Sequence, residues 1–367
     1  MKPLAGIRVV ELARILAGPW CGQLLADLGA EVVKVERPGG GDDTRHWGPP
    51  FLHDAEGKPR DAAYFHATNR GKRSVAIDIA TPAGQAAVRA LVADADVVIE
   101  NYKVGALARY GLDHASLSAV RPGLVTCSIT GFGQTGPYAG RAGYDAIIQG
   151  MGGFMSLTGA PDGPPQKAGV AYVDLFTGVY SAVAILAALR RRDETGAGAH
   201  IDMALLDTQV AVLANQAMNF LASGAAPGRM GNGHPNLVPY QPFETADGAL
   251  IVAVGNDAQF RRLCEVVGLA VDPDFATNAG RVAGRVRLLP MLAAAIRRWR
   301  KAALYEALEA AGIPAGPINS VAETFADPQV VARGMRIDPG GIPGVASPIV
   351  IDGERMAADT PSPKRSG

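Results

Sequence analysis

The chain has 367 residues, of which 48% are hydrophobic and 19% are charged. This length exceeds the size at which one hydrophobic core stops growing, so we expect two domains, or one large domain with an appendage. The apolar content excludes intrinsic disorder. Basic and acidic residues number 35 each, which gives a net charge of zero. We therefore expect no sequence-independent binding to nucleic acid, because such binding depends on an excess of basic residues.

The cysteines argue against a disulfide scaffold, a zinc site or any other metal site. Cys21, Cys127 and Cys264 form no CxxC pair, and so few cysteines are typical of a reducing compartment such as the cytoplasm. No apolar run approaches the roughly 20 residues that span a bilayer. The N-terminus leads directly into a strand-like segment, so we expect neither membrane association nor a signal peptide.

The N-terminal third alternates strand-like and helix-like segments. The strand-like segments are Ile7–Leu12, Glu31–Glu36, Ser74–Ile79, Asp96–Glu100 and Leu124–Ile129, and the helix-like ones are Cys21–Leu28 and Pro82–Ala93. Such alternation predicts βαβ units and an α/β fold with a parallel sheet. Ligands of such sheets bind beyond the carboxyl ends of the strands.

The remaining chain predicts a smaller second domain. The predicted helices are Val179–Arg190, Leu205–Leu221, Ala258–Val267 and most of Arg285–Ala311, with a possible interruption at Pro290, and the predicted strands are His200–Ala204 and Leu250–Val254. We assign residues 1–190 and 330–367 to a large domain and 231–320 to a small one, with linkers at 191–230 and 321–329. We expect the Gly- and Pro-rich tail from Asp338 to return to the large domain.

Residues 131–136 form a GxGxxG motif after a predicted strand. In dinucleotide-binding proteins this motif opens a helix and an acidic residue follows about 20 residues later. Here Pro137, Gly140 and Gly143 interrupt any helix. The acidic residue nearest to the expected position is Asp162, and it lies in a predicted turn. We therefore expect a loop that lets a ligand approach the backbone, not a dinucleotide site.

Basic residues cluster next to predicted strands. Arg37 follows the second strand, the segment Asn69–Ser74 precedes the third, and Asn101–Lys103, with Arg109 beyond, follows the fourth. Arginine and lysine in such positions can clamp phosphate groups. Ordinary solvated charge is the alternative for any single residue, but several clusters together favour a polyphosphate ligand.

Asp174 lies between apolar residues, just ahead of an apolar helix. A carboxylate is costly to bury there unless it is paired. Aspartate is also a favoured residue at a helix N-cap. Composition alone therefore favours a capping role for Asp174 and leaves a functional role open.

Several motifs together resemble the class III CoA-transferase family, which includes formyl-CoA transferase, carnitine CoA-transferases and α-methylacyl-CoA racemase. The matching segments are Leu4–Leu12, Ala17–Pro19, Gly29–Pro38, Asn69–Ser74, Glu100–Tyr102, Gly131–Pro137 and Tyr172–Asp174. The resemblance implies a Rossmann-like CoA-binding domain, a smaller domain, and an interlocked homodimer that binds acyl-CoA and carboxylate substrates and needs no prosthetic group.

The resemblance implies that Asp174 is the nucleophile, which attacks an acyl-CoA thioester and then carries the CoA thiol as an aspartyl thioester. It also implies residues that contact CoA. These are Arg37, Thr68, Asn69, Arg70, Gly71, Lys72, Asn101, Tyr102, Lys103, Arg109, Tyr144 and Asp145, with Arg141 as the substitute for a family lysine that Ala142 replaces here.

The racemase branch of the family is the main alternative to a transferase. Its acid–base pair is a histidine in a Gly-His-Asp triplet and an aspartate thirty residues later, whereas this chain has Gly143-Tyr144-Asp145. A tyrosine, with an ordinary pKa of about 10, is a poor base for an α-proton. The missing histidine favours a transferase. A CoA-binding protein without activity is the third possibility.

Within the family, the chain resembles most the enzymes that transfer CoA between dicarboxylates such as succinate and glutarate. The supporting segments are Gly41–Arg45, Trp47–Phe51, Arg141–Ala146 and Val238–Gln241. Arg45 and His234 are candidates to bind the second, distal carboxylate group of a dicarboxylate substrate. Family members usually continue past the final proline-rich stretch, whereas the sequence ends at Gly367. We expect either that stability or activity suffers or that the sequence is a truncated form.

Overall fold

The structure is a computed structural model, and it describes residues 2–53 and 57–365. The chain forms two compact units: the first comprises residues 1–154, 167–224 and 328–367, and the second comprises 155–166 and 225–327. Residues 191–224, which we expected to form most of a linker, belong to the first unit because they include a strand of its sheet. The tail from Asp338 belongs to the first unit, as the sequence predicts.

The strands of both units are short. In chain order they are β1 (Arg8–Glu11), β2 (Glu31–Glu36), β3 (Phe51–His53), β4 (Pro59–Ala62), β5 (Lys72–Ala76), β6 (Val97–Glu100), β7 (Val125–Thr130), β8 (Ala199–Ala204), β9 (Tyr240–Thr245), β10 (Gly248–Ala253), β11 (Ala315–Pro317), β12 (Arg336–Ile337), β13 (Gly344–Val345), β14 (Val350–Ile351) and β15 (Glu354–Arg355).

The helices vary more in length. They are α1 (Ala17–Asp27), α2 (Ala63–His66), α3 (Pro82–Ala93), α4 (His114–Val120), α5 (Asp145–Met151), α6 (Phe154–Leu157), α7 (Tyr172–Thr195), α8 (Leu205–Ala211), α9 (Ala214–Ser223), α10 (Asp257–Val267), α11 (Asn278–Ala283), α12 (Arg285–Ile296), α13 (Lys301–Ala310), α14 (Val321–Ala326) and α15 (Pro328–Ala332). Short 3₁₀ turns lie at Asp43–His46, Ala108–Tyr110, Pro273–Phe275 and Pro339–Gly341.

A six-stranded parallel sheet organises the first unit, which confirms the predicted α/β fold. The strand order is β5-β2-β1-β6-β7-β8, and all five neighbouring pairs are parallel. Alternate residues of β6 enter different apolar clusters: Val97 and Ile99 pack with α1 and α7, whereas Val98 packs with α3 and α4. The sheet is therefore covered on both faces, as parallel sheets usually are.

Local sequence explains some helix boundaries and not others. Thr81 accepts the N–H of Gly84 and precedes Pro82, so α3 begins where the sequence predicts. The single helix predicted over Leu205–Leu221 is instead two helices, because Ala214 has a positive φ of 44° at the junction. Pro290 lies inside α12, and the predicted interruption falls instead between Ile296 and Lys301.

Helix α7 is long and apolar enough, by length and composition alone, to cross a membrane, and it is the only such helix in the part of the chain that the structure describes. We expected no such segment from the sequence. Core helices of soluble proteins share these properties, and Val173, Ala182, Ile185 and Leu189 of α7 lie in the core beside the sheet.

The second unit is built on the antiparallel sheet β11-β10-β9. Its apolar core includes Phe243 of β9, Leu250 of β10, Phe260 of α10 and Leu292 of α12. Arg281 of α11 is fully buried beside this core. Its guanidinium donates to the carbonyls of Val238 (2.7 Å) and Phe275 (3.1 Å) and to Asp257 (2.8 Å). This arginine therefore joins three segments of the unit.

We predict that Arg281→Met destabilises the protein by about 2–5 kcal/mol, because the carbonyls of Val238 and Phe275 lose their buried donor, at about 1–3 kcal/mol each. Arg287→Met provides the matched control, since Arg287 forms its ion pairs with Asp272 and Asp274 at the surface. Such exposed pairs contribute about 1 kcal/mol or less. Urea unfolding of both variants measures the difference, and equal losses would show that the buried contacts do not dominate.

Candidate active site

Asp174 lies in the first turn of α7, but it does not cap the helix. The N-cap position is Ala171, and no side chain of the helix's own first turn caps it. The capping role favoured by composition is therefore wrong. The carboxylate of Asp145, at the start of α5, instead accepts the N–H groups of Val173 (3.0 Å) and Asp174 (3.4 Å). Because this acceptor comes from another helix, the carboxyl group of Asp174 is not needed to satisfy the backbone.

Asp145 is itself fixed by a chain of hydrogen bonds. Gln149, one turn further along α5, donates its amide to the second carboxylate oxygen of Asp145. The side-chain carbonyl oxygen of Gln149, Oε1, accepts the N–H of Ala168 at 2.8 Å. These contacts connect α5 to the segment that leads into α7, so the start of α7 and the position of Asp174 depend on Asp145.

The pKa of Asp174 is raised from 3.8 to about 7, first by burial and then by the negative charge of Asp145. The described part of the chain provides no hydrogen-bond donor to its carboxyl oxygens. A carboxylate that is poorly solvated and not hydrogen-bonded is unusually basic. Such groups concentrate at functional sites, so Asp174 is a strong candidate for a catalytic residue.

Asp174 lines a cleft of about 360 Å³ in the first unit. The walls come from the segments that follow β1, β6 and β7, three neighbouring parallel strands. The lining residues are Arg14, Ile15, Leu16, Ala17, Asn101, Tyr102, Lys103, Val104, Ala106, Arg109, Ile129, Thr130, Gly131, Ala139, Arg141, Ala142, Gly143, Tyr144, Asp174 and Leu205. The cleft thus lies at the carboxyl ends of the strands, where ligands of such sheets bind.

The GxGxxG loop forms part of this wall and opens no helix, as the sequence analysis predicts. Its first glycine, Gly131, packs backbone to backbone against Gly143: a Cβ added at Gly131 would lie 2.5 Å from the Cα of Gly143. No side chain fits at that distance. The two glycines therefore bring the loop after β7 against the residues that precede α5, next to Asp145.

Six of the residues that the family resemblance implies as CoA contacts line the cleft together with Asp174. They are Asn101, Tyr102, Lys103, Arg109, Arg141 and Tyr144. The guanidinium groups of Arg109 and Arg141 lie over the rings of Tyr110 and Tyr138, at 4.6 and 3.9 Å from the ring centroids. Both arginines and Lys103 are exposed, so they add three cationic groups to the cleft, beside Arg14, which pairs with Asp43 at 2.7 Å.

The other residues implied as CoA contacts lie outside the cleft lining. Arg37 is exposed and pairs with Asp43 at 3.0 Å, and Asp145 contacts α7 as described above. Thr68, Asn69, Arg70 and Lys72 are all buried, and Gly71 donates its N–H to the carbonyl of Thr360 in the tail. A role for these residues in CoA binding stays a prediction.

Two of the buried cations have complete sets of protein partners. Arg70 contacts both carboxylate oxygens of Asp27, at 3.1 and 2.7 Å, and the carbonyl of Val345 at 2.8 Å. The ammonium of Lys72 contacts Glu11 at 2.8 Å and the carbonyl of Pro19 at 2.8 Å. Their positive charges are therefore neutralised within the fold.

Arg45 and His234, the candidates for a distal carboxylate, lie in different environments. Arg45 is fully buried and contacts Glu36 and Asp61, so its charge is already paired. His234 belongs to the second unit, where its ring accepts the N–H of Asn236 at 3.0 Å. Arg45 does not line the cleft around Asp174, and a role for His234 stays a prediction.

The segment Arg14–Ala17, which follows β1 and lines the cleft, was not among the predicted site residues. Arg14 is a basic residue just beyond a strand, so the criterion that selected Arg37 and Lys103 could have found it. Ile15, Leu16 and Ala17 are apolar, and their residue types give no signal for a place at a ligand cleft. Among the described residues, no group of three or more His, Cys, Asp or Glu side chains is arranged to bind a metal ion.

We predict that Asp145→Asn lowers the pKa of Asp174 from about 7. The amide oxygen still accepts the N–H of Val173, but the neighbouring negative charge is removed. Burial remains, so the pKa should stay above 3.8. Infrared titration measures the carboxyl band, with Asp174→Asn as the background that identifies it. An unchanged midpoint would show that the charge of Asp145 does not act on Asp174.

We also predict that Arg70→Met lowers the melting temperature strongly, because it leaves Asp27 as an unpaired buried carboxylate, at a cost of about 3–5 kcal/mol. The matched variant is Arg109→Met, whose arginine is exposed at the cleft and should contribute below about 1 kcal/mol. Calorimetry of both variants compares the two. A small loss in Arg70→Met would argue that Arg70 is free to bind a ligand.

Comparison with known proteins places the chain in a family. The profile of CoA-transferase family III matches residues 4–366. Succinate–glutarate CoA-transferase of Agrobacterium fabrum is 59% identical, over 99% of this chain and 92% of its own length. Human succinyl-CoA:glutarate CoA-transferase is 42% identical, over 91% of this chain and 76% of its own.

Solved structures agree with this result. The crystal structure of a CaiB/BaiF family protein from Brucella suis is 58% identical and superposes with a TM-score of 0.88, over 99% of this chain and 96% of that one. A Mycobacterium tuberculosis protein, Rv3272, is 30% identical with the same TM-score, over 99% and 97%. The resemblance stated from the motifs is therefore confirmed: this chain belongs to CoA-transferase family III and is a CoA-transferase, with an acyl-CoA as its substrate.

Proposed function

We propose that this enzyme moves CoA from succinyl-CoA to a second dicarboxylate such as glutarate, and that Asp174 carries the transferred group. The observation that carries the proposal is the carboxyl group of Asp174, which lines the cleft at the strand ends and has a pKa raised to about 7. The choice of substrates is supported by the relatives from Agrobacterium fabrum and human, whose names specify succinate or succinyl-CoA and glutarate.

In the first half of the reaction, a carboxylate oxygen of Asp174 attacks the thioester carbonyl of succinyl-CoA. The C–S bond breaks, and a mixed anhydride and the CoA thiolate form. The thiolate then attacks the aspartyl carbonyl, so that succinate leaves and an aspartyl-CoA thioester remains. Because a thioester is regenerated, the reaction needs no external energy source. A weak nucleophile of this kind depends on positioning, which can supply up to about 7–11 kcal/mol.

In the second half, the acceptor carboxylate attacks the aspartyl thioester. This step releases the CoA thiolate and forms a new mixed anhydride between Asp174 and the acceptor. The thiolate attacks the acceptor's acyl carbonyl, the new acyl-CoA forms, and the carboxylate of Asp174 is restored. With a pKa of about 7, Asp174 is far more basic than an ordinary aspartate, and a more basic oxygen is generally the stronger nucleophile.

The cationic rim of the cleft fits the phosphate groups of CoA. Lys103, Arg109 and Arg141 are exposed around the same opening, and guanidinium and ammonium groups bind phosphates well. We propose that these residues bind the nucleotide part of CoA while the thioester reaches Asp174.

The racemase alternative gains no support from the site. Tyr144 lines the cleft at the position where the racemase branch carries histidine, and 57% of its surface is exposed. An ordinary tyrosine, with a pKa of about 10, is a poor base for an α-proton. The relatives described above are transferases by name, so we retain the transferase as the proposed activity.

We propose that the enzyme works as a homodimer, as the family resemblance implies. Large apolar side chains lie exposed along α7, where Phe176, Val179, Tyr180 and Val183 are each more than 40% exposed. Helix α9 also exposes large apolar side chains, Met218, Phe220 and Leu221. Large exposed apolar surface often marks an interaction site. We also propose a cytoplasmic location, which is supported by three cysteines that are all unpaired thiols and buried.

We predict that Asp174→Asn abolishes CoA transfer, because an amide oxygen cannot form the anhydride. Incubation of the unaltered enzyme with succinyl-CoA and no acceptor, followed by hydroxylamine, should convert Asp174 to a hydroxamate that mass spectrometry locates in its peptide. Asp162→Asn provides a control at an exposed acid in a turn of the second unit, and it should leave transfer unchanged.

Acceptor choice is tested with succinyl-CoA and a panel of monocarboxylates and dicarboxylates. Glutarate should give glutaryl-CoA faster than acetate or formate does. An enzyme that turns over without ever labelling position 174 would overturn the nucleophile, and a preference for monocarboxylates would overturn the substrate class. Solvent deuterium at the α-carbon of a branched acyl-CoA, without acceptor, would instead support a racemase.

A further inference from the structure

The segment Ala13–Ile15 connects β1 to α1 and has no regular secondary structure. Four of its backbone polar groups are nevertheless bonded by side chains of other segments. The ammonium of Lys34 donates to the carbonyl of Ala13 at 2.7 Å. The side chain of Asn101 accepts the N–H of Arg14 at 3.0 Å and donates to its carbonyl at 2.7 Å. The conformation of the segment therefore depends on side chains from other parts of the chain.

Ile15 is the strained residue of this segment. Its φ is +74°, in the left-handed region, where a β-branched side chain is a genuine outlier. Conformations of this kind are disfavoured and persist only where neighbouring groups enforce them. The N–H of Ile15 points at the carboxylate of Asp42 and lies 3.3 Å from both oxygens. Asp42 is thus the acceptor that stabilises the strained conformation.

Asp42 is buried and firmly anchored. One carboxylate oxygen accepts the N–H and the hydroxyl of Thr44, at 3.0 and 2.8 Å, and the other lies 2.9 Å from the ammonium of Lys34. Its own N–H donates to Glu36 at 2.7 Å. Burial alone would raise the pKa of Asp42, but Lys34 and Thr44 hold it below the ordinary value. The acceptor is therefore rigid and ionised.

The strained conformation of Ile15 affects the cleft, because Ile15 belongs to the cleft wall. Arg14, Ile15, Leu16 and Ala17 all line the cleft that contains Asp174, whereas Asp42 does not line it. A change of φ at Ile15 would redirect the chain just before α1 and shift this wall. Reacting groups tolerate little displacement: an error of about 1 Å can cost a factor of about 10² in rate.

We propose that Asp42 is a positioning residue for CoA transfer: by accepting the N–H of Ile15, it keeps Ile15 in the left-handed conformation and sets the wall of the cleft beside Asp174. The inference rests on the proposed role of Asp174. It makes Asp42 important for catalysis without contact with either substrate, and the operative group is its hydrogen-bond acceptor.

The test compares Asp42→Asn with Asp42→Ala. Asparagine keeps an oxygen that can accept the N–H of Ile15, whereas alanine keeps none. Both variants lose the charge that pairs with Lys34, so both should melt at a lower temperature. We expect Asp42→Ala to lower kcat by about 10- to 100-fold, with a smaller change in the KM for succinyl-CoA. Asp42→Asn should retain kcat within a few-fold of the unaltered enzyme.

A second comparison isolates the strain itself. Glycine adopts a positive φ without cost, so in an Ile15→Gly background the left-handed conformation no longer needs an acceptor to enforce it. We expect Asp42→Ala to reduce kcat much less in that background than in the unaltered sequence. Such non-additivity between neighbouring residues is what a double-mutant cycle measures.

Arg192→Met controls for general destabilisation. Arg192, at the far end of α7, forms a largely buried ion pair with Asp96 at 2.7 Å, and its loss should lower the melting temperature without changing kcat. All variants are assayed where they remain folded. Equal kcat losses in the alanine and asparagine variants, or the same alanine effect with and without Ile15→Gly, would overturn the inference. Hydroxylamine labelling of Asp174 in the unaltered enzyme tests the proposed nucleophile separately.

Discussion

The carboxylate of Asp145 is the contact on which the active site depends. It accepts two N–H groups at the start of α7, so it satisfies backbone donors that would otherwise need a cap from the helix itself. It also places a negative charge beside Asp174, in a region where burial already disfavours ionisation. A single side chain therefore both positions the candidate nucleophile and makes it more basic. Asp174 can contribute its carboxyl group to chemistry because another residue fulfils the structural requirement.

A second group of buried charges connects the sheet to the segment Arg14–Ala17, which lines the cleft. Glu11, at the end of β1, contacts the ammonium groups of both Lys34 and Lys72. Lys34 has Asp42 as a second partner, which raises its pKa, whereas burial lowers the pKa of Lys72 to about 8. Buried pairs of this kind rarely stabilise a fold more than apolar residues would. Their presence is better explained by geometry: Lys34 and Asp42 determine the path of the chain between β1 and α1.

The sequence predicts the framework well, because the framework depends on local patterns. Alternating segments predict the parallel sheet, and the bounds of β2 and α3 agree with those expected from residue type and turn signals. The assignment of basic residues to a ligand is harder. Arg70 and Lys103 look alike as basic residues near strand ends, yet Arg70 is paired with Asp27 and Lys103 is exposed at the cleft. The partners that separate these cases lie far away in sequence, so composition near the strand carries no information about them.

Asp174 is a second case in which the local sequence does not predict a residue's role. A local rule favours a cap, because aspartate ahead of an apolar helix usually accepts backbone N–H groups. The rule fails here since the acceptor arrives from α5, 29 residues earlier in the chain. Once that acceptor is known, the sequence no longer favours a capping role for Asp174. An aspartate that does not cap its helix and is poorly solvated beside a cleft destabilises the fold. Carboxyl groups with a raised pKa concentrate at functional sites, so the failure of the capping rule supports the proposed catalytic role of Asp174.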